Sequence, residues 1–439
     1  MQAALIGLDL GTTGCKSAVF DERLRTLGEA YIEYPLIQIS PAEIEQDANL
    51  WWELAKRAVG QSVSKSGVAA GSVKGIGISS QGIAFVPVDR DFRPLRNAVS
   101  WLDTRAKDQK DRILDKFGES GLFAVTGKRA SESYVLPKLL WLRENERDLF
   151  DRAFMFPMAL DYITARLCGE CVTDHTMASG TLFYDVSAQS WSGAILNEFD
   201  IGPGRLPGIR WSGSIAGHLE KAVAAELGLP HDVVIAVGGQ DQKCAALGAG
   251  IGPGIATVSL GTASAIEQAC EKPVLDGQMR IPCFSGLFPA QWVIEGCVPT
   301  AGASVKWLRE TFFRNAGYDG LNDMAERSDV GAGGVFFYPH LAGAGSPYWK
   351  GDAGGTFHGI TLSTHAHDFA RSVYEGIAYQ IRANLDAMQS LYKPAGEIRL
   401  FGGGAKSGVW RRIVADITGK PVRTLSTGET ANAGAAILA

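Results

Sequence analysis

Residues 8–14 read Leu8-Asp9-Leu10-Gly11-Thr12-Thr13-Gly14, and residues 258–263 read Val258-Ser259-Leu260-Gly261-Thr262-Ala263. In each, an apolar run ends in Leu-Gly-Thr. Residues 3–8 read as a buried strand and 15–20 as its return, while 255–260 and 263–268 repeat the arrangement. Glycine lets the chain turn tightly and lets backbone N–H groups approach a phosphate, and threonine adds a hydroxyl donor. One such turn is an ordinary hairpin. Two, each opening a half of the chain, point to phosphate binding by Gly11, Thr12 and Thr13 and by Gly261 and Thr262. Only the first copy carries an acid, Asp9. A carboxylate beside phosphates repels them unless a cation intervenes, so Asp9 is the expected Mg²⁺ ligand. Gly14-Cys15-Lys16-Ser17 is not a Walker A loop, because Cys15 separates glycine from lysine and 15–20 reads as strand rather than helix.

Outward from the first hairpin, the pattern predicts a strand at 28–34, a helix over 48–63 and a strand at 73–78. That strand ends in the polar turn Ser79-Ser80-Gln81, and 83–88 reads as its return. Helices are predicted at 104–116 and 136–150, and a strand at 233–238. After the second hairpin come a long helix over 367–391, a strand at 397–401, the triplet Gly402-Gly403-Gly404 and a helix over 408–418. Strand-turn-strand followed by helices, occurring twice, predicts an internally duplicated α/β protein. The expected domains are 1–246 and 247–439, joined near 241–255, where glycines cluster and little secondary structure is expected. Gly403, Gly404 and Ala405 stand between strand and helix, where small residues let a flat ring or ribose lie on the backbone; a plain flexible turn fits them as well. Asp241, at the join, is the candidate base, since phosphoryl transfer to an alcohol needs an acceptor for the hydroxyl proton. A solvated loop aspartate is the alternative.

The bulk numbers agree with a soluble protein of this kind. The chain has 439 residues, more than one core usually holds, with 46% hydrophobic and 20% charged residues and a net charge of −5. No basic block suggests nucleic acid, no apolar run suggests a membrane span, and the start does not read as a signal peptide. Seven scattered cysteines fit reduced thiols and a cytoplasmic setting. Cys168 and Cys171, and His365 and His367, have ligand-like spacing but no further partners in sequence.

These residues resemble the FGGY family of carbohydrate kinases, over essentially the whole chain. Gly355-Thr356-Phe357-His358-Gly359-Ile360, then Asp368-Phe369 and Ser372-Val373-Tyr374-Glu375, match the family's C-terminal signature. Ser133, Lys138-Leu139-Leu140-Trp141-Leu142 and Glu144-Asn145 match the N-terminal one less fully, with Val135 departing from it. Trp101-Leu102-Asp103-Thr104-Arg105 is similar to the family's Trp-x-Asp-x-Arg segment near the sugar.

The resemblance implies two actin-like (ribonuclease H-like) domains with an interdomain cleft, and ATP with Mg²⁺ as cofactors. It implies that Gln81, Gly82, Trp101, Asp103, Arg105, Asp241 and Gln242 meet the sugar, with Asp241 as base; for Asp103 and Arg105 the alternative is that they simply pair with each other. Gly403, Gly404 and Ala405 would line the adenosine site. Where xylulose kinases carry Met-His after the glutamine of the substrate turn, and glycerol kinases Arg-Glu, this chain has Gly82-Ile83. That loses hydrogen-bonding groups and gains space, which disfavours glycerol and leaves a ketopentose such as xylulose, or a related ketose or polyol. The final Gly434–Ala439 run resembles the start of a late helix that continues in the family. A homodimer is compatible with the resemblance. The rival reading is an actin-like ATPase that changes shape without phosphorylating a sugar.

Overall fold

The computed structural model describes residues 3–425 and 428–439. The chain divides into two compact units. The first runs to Gly248 and takes in Phe284–Gln291 and Glu429–Ala439; the second comprises Ala249–Cys283 and Trp292–Gly428.

The first unit is built on a seven-stranded sheet. Ala4–Leu10 pairs antiparallel with Gly14–Asp21, which pairs antiparallel with Thr26–Glu33. On its other side Ala4–Leu10 pairs parallel with Val73–Ser80, which pairs parallel with Val234–Ala236 and, at its end, with Gly239–Gln240. Leu8, Leu10, Ile76 and Ile78 are fully buried, and helix Ala48–Ser66 brings Trp51, Ala55 and Ala58 into the same core. Asp47 caps that helix by accepting from the N–H groups of Asn49 and Leu50, and Gly67, in the left-handed region, ends it.

The second unit repeats five of these strands in a six-stranded sheet. Ile255–Ser259 pairs antiparallel with Ser264–Cys270, and that with Trp292–Val298. Glu397–Phe401 lies parallel on the other side of Ile255–Ser259, and Val422–Thr424 parallel beyond it. The duplication inferred from two short hairpins therefore extends through the order and direction of five strands in each unit.

Two expectations are corrected. Residues 83–88 do not return as a strand: Phe85 and Val88 make only isolated bridges, to Val99 and Met158 and to Met155 and Pro94. The glycine-rich join is not bare loop, because Asp241–Gly248 is a helix. Separately, helix Thr430–Leu438 packs in the first compact unit although it lies late in the chain. Its backbone lies almost directly on glycines. A Cβ on Gly7 would fall 1.9 Å from Asn432 O, one on Gly77 1.8 Å from Ala435 O, and one on Gly248 2.1 Å from Thr430 O. These glycines are used for close approach, not for flexibility, and sequence composition does not distinguish the two.

Candidate active site

In the first unit three parallel strands end level. Leu10 pairs with Ser80, and Ser80 with Gln240. The residues that follow each strand, Gly11, Gln81 and Asp241, therefore emerge at one edge of the sheet. Carboxyl ends of parallel strands are where α/β proteins place ligands.

The hairpin is fastened from outside its turn. Gly11 N donates to Gly14 O at 2.9 Å, and the Tyr34 hydroxyl donates to Gly11 O. Gln46 Nε2 donates to Thr12 O at 2.7 Å, and Trp101 Nε1 to Thr12 Oγ1 at 2.9 Å. Asp9 Oδ1 accepts from Ser79 Oγ at 2.7 Å. Burial pushes the Asp9 carboxyl up to about 6, against the opposing pull of the Ser79 hydroxyl and of Lys16. Lys16 stands directly opposite Asp9 in the antiparallel register, and its Nζ pairs with Glu429 at 3.0 Å. Without a Walker loop, no short motif marks Lys16 as a functional residue. Strand alternation alone puts it on the Asp9 face.

Gln81 is 1% exposed, and neither its Oε1 nor its Nε2 has a partner among the described residues. A buried amide left unsatisfied costs roughly 1–3 kcal/mol per group, so its retention points to a ligand that completes it. Beside it, Gly82 lies close under Gln240: a Cβ there would fall 3.3 Å from Gln240 Cγ, tighter than most such contacts. Ile83 has φ 54°, a conformation that β-branched residues rarely adopt, so the turn after Gln81 is locally strained.

Asp241 opens helix Asp241–Gly248, so it is a first-turn residue rather than a loop one. Its Oδ1 accepts from Gln240 Nε2 at 2.6 Å and from Gln242 N at 2.7 Å. Gln240 N in turn donates to Thr176 Oγ1, whose proton goes to Asp174 Oδ2 at 2.6 Å. Ser212 Oγ donates to the same carboxylate oxygen. This buried chain from Asp174 sets the orientation of Asp241. No spacing rule links residues 174 and 241, which is why it was not legible in the sequence.

The segment 101–105 divides. Trp101 is 39% exposed beside the hairpin. Asp103 is fully buried, accepts from Ile44 N at 2.7 Å and pairs with Arg105 at 2.8 Å. Arg105 also pairs with Glu45 at 2.9 Å and lies 4.8 Å over the Trp141 ring. Glu45 is shared with Arg96, which also reaches Glu146. Asp103 and Arg105 thus form a buried brace with Glu45, as the pairing alternative has it, with Arg105 engaged through Nε and Nη2. Lys138, from the N-terminal signature, belongs to the same brace and donates to Ser100 O at 2.6 Å.

The second unit holds a cavity of about 850 Å³. Gly261 and Thr262 of the second hairpin line it together with Gly403 and Gly404; Ala405 is buried behind them. Helix Gly302–Phe312 starts against the hairpin, with Gly302 N donating to Gly261 O and Ala303 N to Thr262 O. Ser259, in the place of Asp9, merely accepts from Ala265 N. Most of the C-terminal signature is structural. Asp368 accepts from Ser328 Oγ at 2.6 Å, and Glu375 pairs with Arg371 at 2.6 Å while accepting from Gly331 N. Only Tyr374 of the signature reaches the cavity.

Among the described residues no group of three or more His, Cys, Asp or Glu side chains could hold a metal, and no helix is long and apolar enough to cross a membrane. Cys168 and Cys171 are both free thiols.

The family model for the N-terminal domain of the FGGY family of carbohydrate kinases matches residues 4–248, and that for the C-terminal domain matches 256–439. A protein named xylulose kinase from Bacillus subtilis is 31% identical over 436 residues, covering 99% of this chain and 87% of its own length. A crystal structure described as a xyloylose kinase from Brucella ovis has a TM-score of 0.92 at 29% identity, covering 99% of this chain and 89% of that one. One described as a gluconate kinase from Lactobacillus acidophilus has a TM-score of 0.93 at 25% identity, covering 100% and 89%. The rival of an ATPase that phosphorylates no sugar finds no support in these matches.

Proposed function

The chain belongs to the FGGY family of carbohydrate kinases, and on that premise we propose that it phosphorylates a ketopentose, xylulose or a close relative, with Asp241 as the base. It is a phosphotransferase with ATP as donor and a sugar hydroxyl as acceptor. The observation that carries the sugar reading is Gln81, a buried amide with donor and acceptor both unpartnered, set at the strand edge from which Asp241 also emerges. A polyhydroxylated substrate offers both complements. Trp101 offers it an apolar face.

Asp241 accepts the hydroxyl proton as the sugar oxygen bonds to the γ-phosphorus. The bond from that phosphorus to the bridging oxygen breaks, and ADP leaves. Gln240 and the Gln242 N–H hold Asp241 in a fixed orientation for this role. On the nucleotide side, the backbone of Gly11, Thr12 and Thr13 meets phosphate oxygens, as do Gly261 and Thr262. Gly403 and Gly404 line the nucleoside portion, with Ala405 behind them. Asp9 would hold Mg²⁺. A lone carboxylate at a phosphate hairpin fits that ion, which usually draws its other ligands from phosphates and water and neutralises their charge. Lys16 adds positive charge on the same face.

A coupled ADP-release assay over xylulose, ribulose, glycerol and gluconate tests the substrate. The expected result is a kcat/KM for a ketopentose at least about tenfold above glycerol and gluconate, a gap set by leaving Gln81 unpaired. A higher value with glycerol or gluconate would overturn the ketopentose reading.

A further inference from the structure

The cavity of the second unit contains a hydrogen-bond relay that the transfer reaction does not require. Asn322, on helix Tyr318–Arg327, lines the cavity. Its Oδ1 accepts from Ser407 Oγ at 2.7 Å and from the Tyr374 hydroxyl at 3.0 Å. Ser407 Oγ also accepts from Trp410 N, which leaves its own proton for Asn322. Burial pushes the Tyr374 phenol further above its ordinary range, so it stays protonated and donates. In this arrangement both lone pairs of Oδ1 are used. Asn322 Nδ2 has no partner among the described residues. Trp410 is 2% exposed, and its indole N–H is likewise unpartnered while the residue lines the same cavity. The polar groups left over here are donors.

The lining also holds the carboxylates of Glu310 and Asp319, but at Asn322 and Trp410 an unpartnered donor selects a ligand atom that accepts. Adenine presents acceptors at N1, N3 and N7. Of these, N3 and N7 are acceptors in guanine and hypoxanthine as well, whereas N1 carries a hydrogen in both. A donor that reads base identity must therefore read N1. We propose that Asn322 determines nucleotide specificity by donating from Nδ2 to adenine N1, with Tyr374 and Ser407 as positioning residues that prevent the amide from turning over. The inference rests on the reading of this cavity as the nucleotide site.

The test replaces Asn322→Asp, which leaves Tyr374 and Ser407 their acceptor but turns the cavity-facing group from donor to acceptor. Initial rates are measured with ATP, ITP and GTP at saturating sugar. The expected result is a KM for ATP raised about tenfold or more, an ITP/ATP ratio of kcat/KM raised by a similar factor, and a sugar KM within about twofold of wild type. Tyr374→Phe, which frees one lone pair of Oδ1, should raise the same ratio by a smaller factor. An unchanged ITP/ATP ratio in Asn322→Asp overturns the inference, and so does an equal loss for all three nucleotides. Ala303→Trp, which fills the cavity, separates this from failure of the parent reading. If that variant binds ATP as wild type does, the cavity is not the nucleotide site; if it loses all nucleotides while Asn322→Asp keeps the wild-type ratio, only the role of Asn322 is wrong. Thermal melts of each variant show that it is folded.

Discussion

The two sheets share five strands in the same order and direction, yet they present different chemistry at the same place. In the first, the strand before the Gly-Thr turn carries Asp9, with Ser79 beside it and Lys16 opposite. In the second that position is Ser259, whose hydroxyl serves the hairpin itself, and the adjoining space is an open cavity of about 850 Å³. The first unit also has a tight, polar strand edge with Gln81 and Asp241, which the second lacks. A duplicated frame thus supplies equivalent strand ends, and single side chains make them chemically different; in the proposed function the first end takes the metal and the acceptor alcohol and the second the nucleotide.

The sharpest way to break this contrast is at Asp241. Asp241→Asn keeps the shape of the helix start but removes the base, and kcat should fall by about 10²–10⁴-fold. Nucleotide affinity, read by equilibrium titration, should stay near wild type because the proposed nucleotide cavity lies in the second unit. Near-normal turnover would remove Asp241 from the chemistry. Next in size is an exchange between the hairpins. Asp9→Asn should lower kcat by roughly 10²-fold and raise the Mg²⁺ concentration needed for half-maximal rate. Adding Ser259→Asp should lower activity further, because a second carboxylate repels phosphate without a partner cation. If Ser259→Asp instead rescued Asp9→Asn, the two hairpins would be interchangeable and their asymmetry incidental. The smallest expected effect separates function from stability. Gln81→Leu should raise the sugar KM about tenfold to a hundredfold while raising the melting temperature by a few degrees, since an unsatisfied buried amide is removed. A lower melting temperature would mean that Gln81 is tied into the fold after all.

Much of the frame was legible because its signals are local. The strands at 3–8, 73–78 and 397–401 and the helices at 48–63 and 408–418 are carried by their own apolar periodicity, and all were found close to their observed bounds. Phosphate turns are equally local, since the glycine and threonine are adjacent. What failed was whatever depends on partners far along the chain. The strand expected at 83–88 has apolar residues enough, but its neighbours Val99, Met155 and Met158 offer only single bridges. Asp103 and Arg105 look like exposed polar groups until Glu45, sixty residues earlier than Arg105, is seen to take up the guanidinium. The orienting chain behind Asp241 and the relay around Asn322 are likewise assembled from separate elements, and no periodicity announces them.

The helix Thr430–Leu438 has a consequence for how the chain is made. It rests on Gly7 and Gly77 at distances that leave no room for a side chain, so it forms one face of the first sheet. A ribosome delivers it some 350 residues after Gly77, or roughly 20–70 s later at ~5–20 residues per second. Throughout that interval the nascent first unit must carry a bare glycine-floored strip of sheet. Strands at the start of the first unit are thus covered by a helix made some 350 residues later, so that unit is not complete when residues 1–248 have left the ribosome.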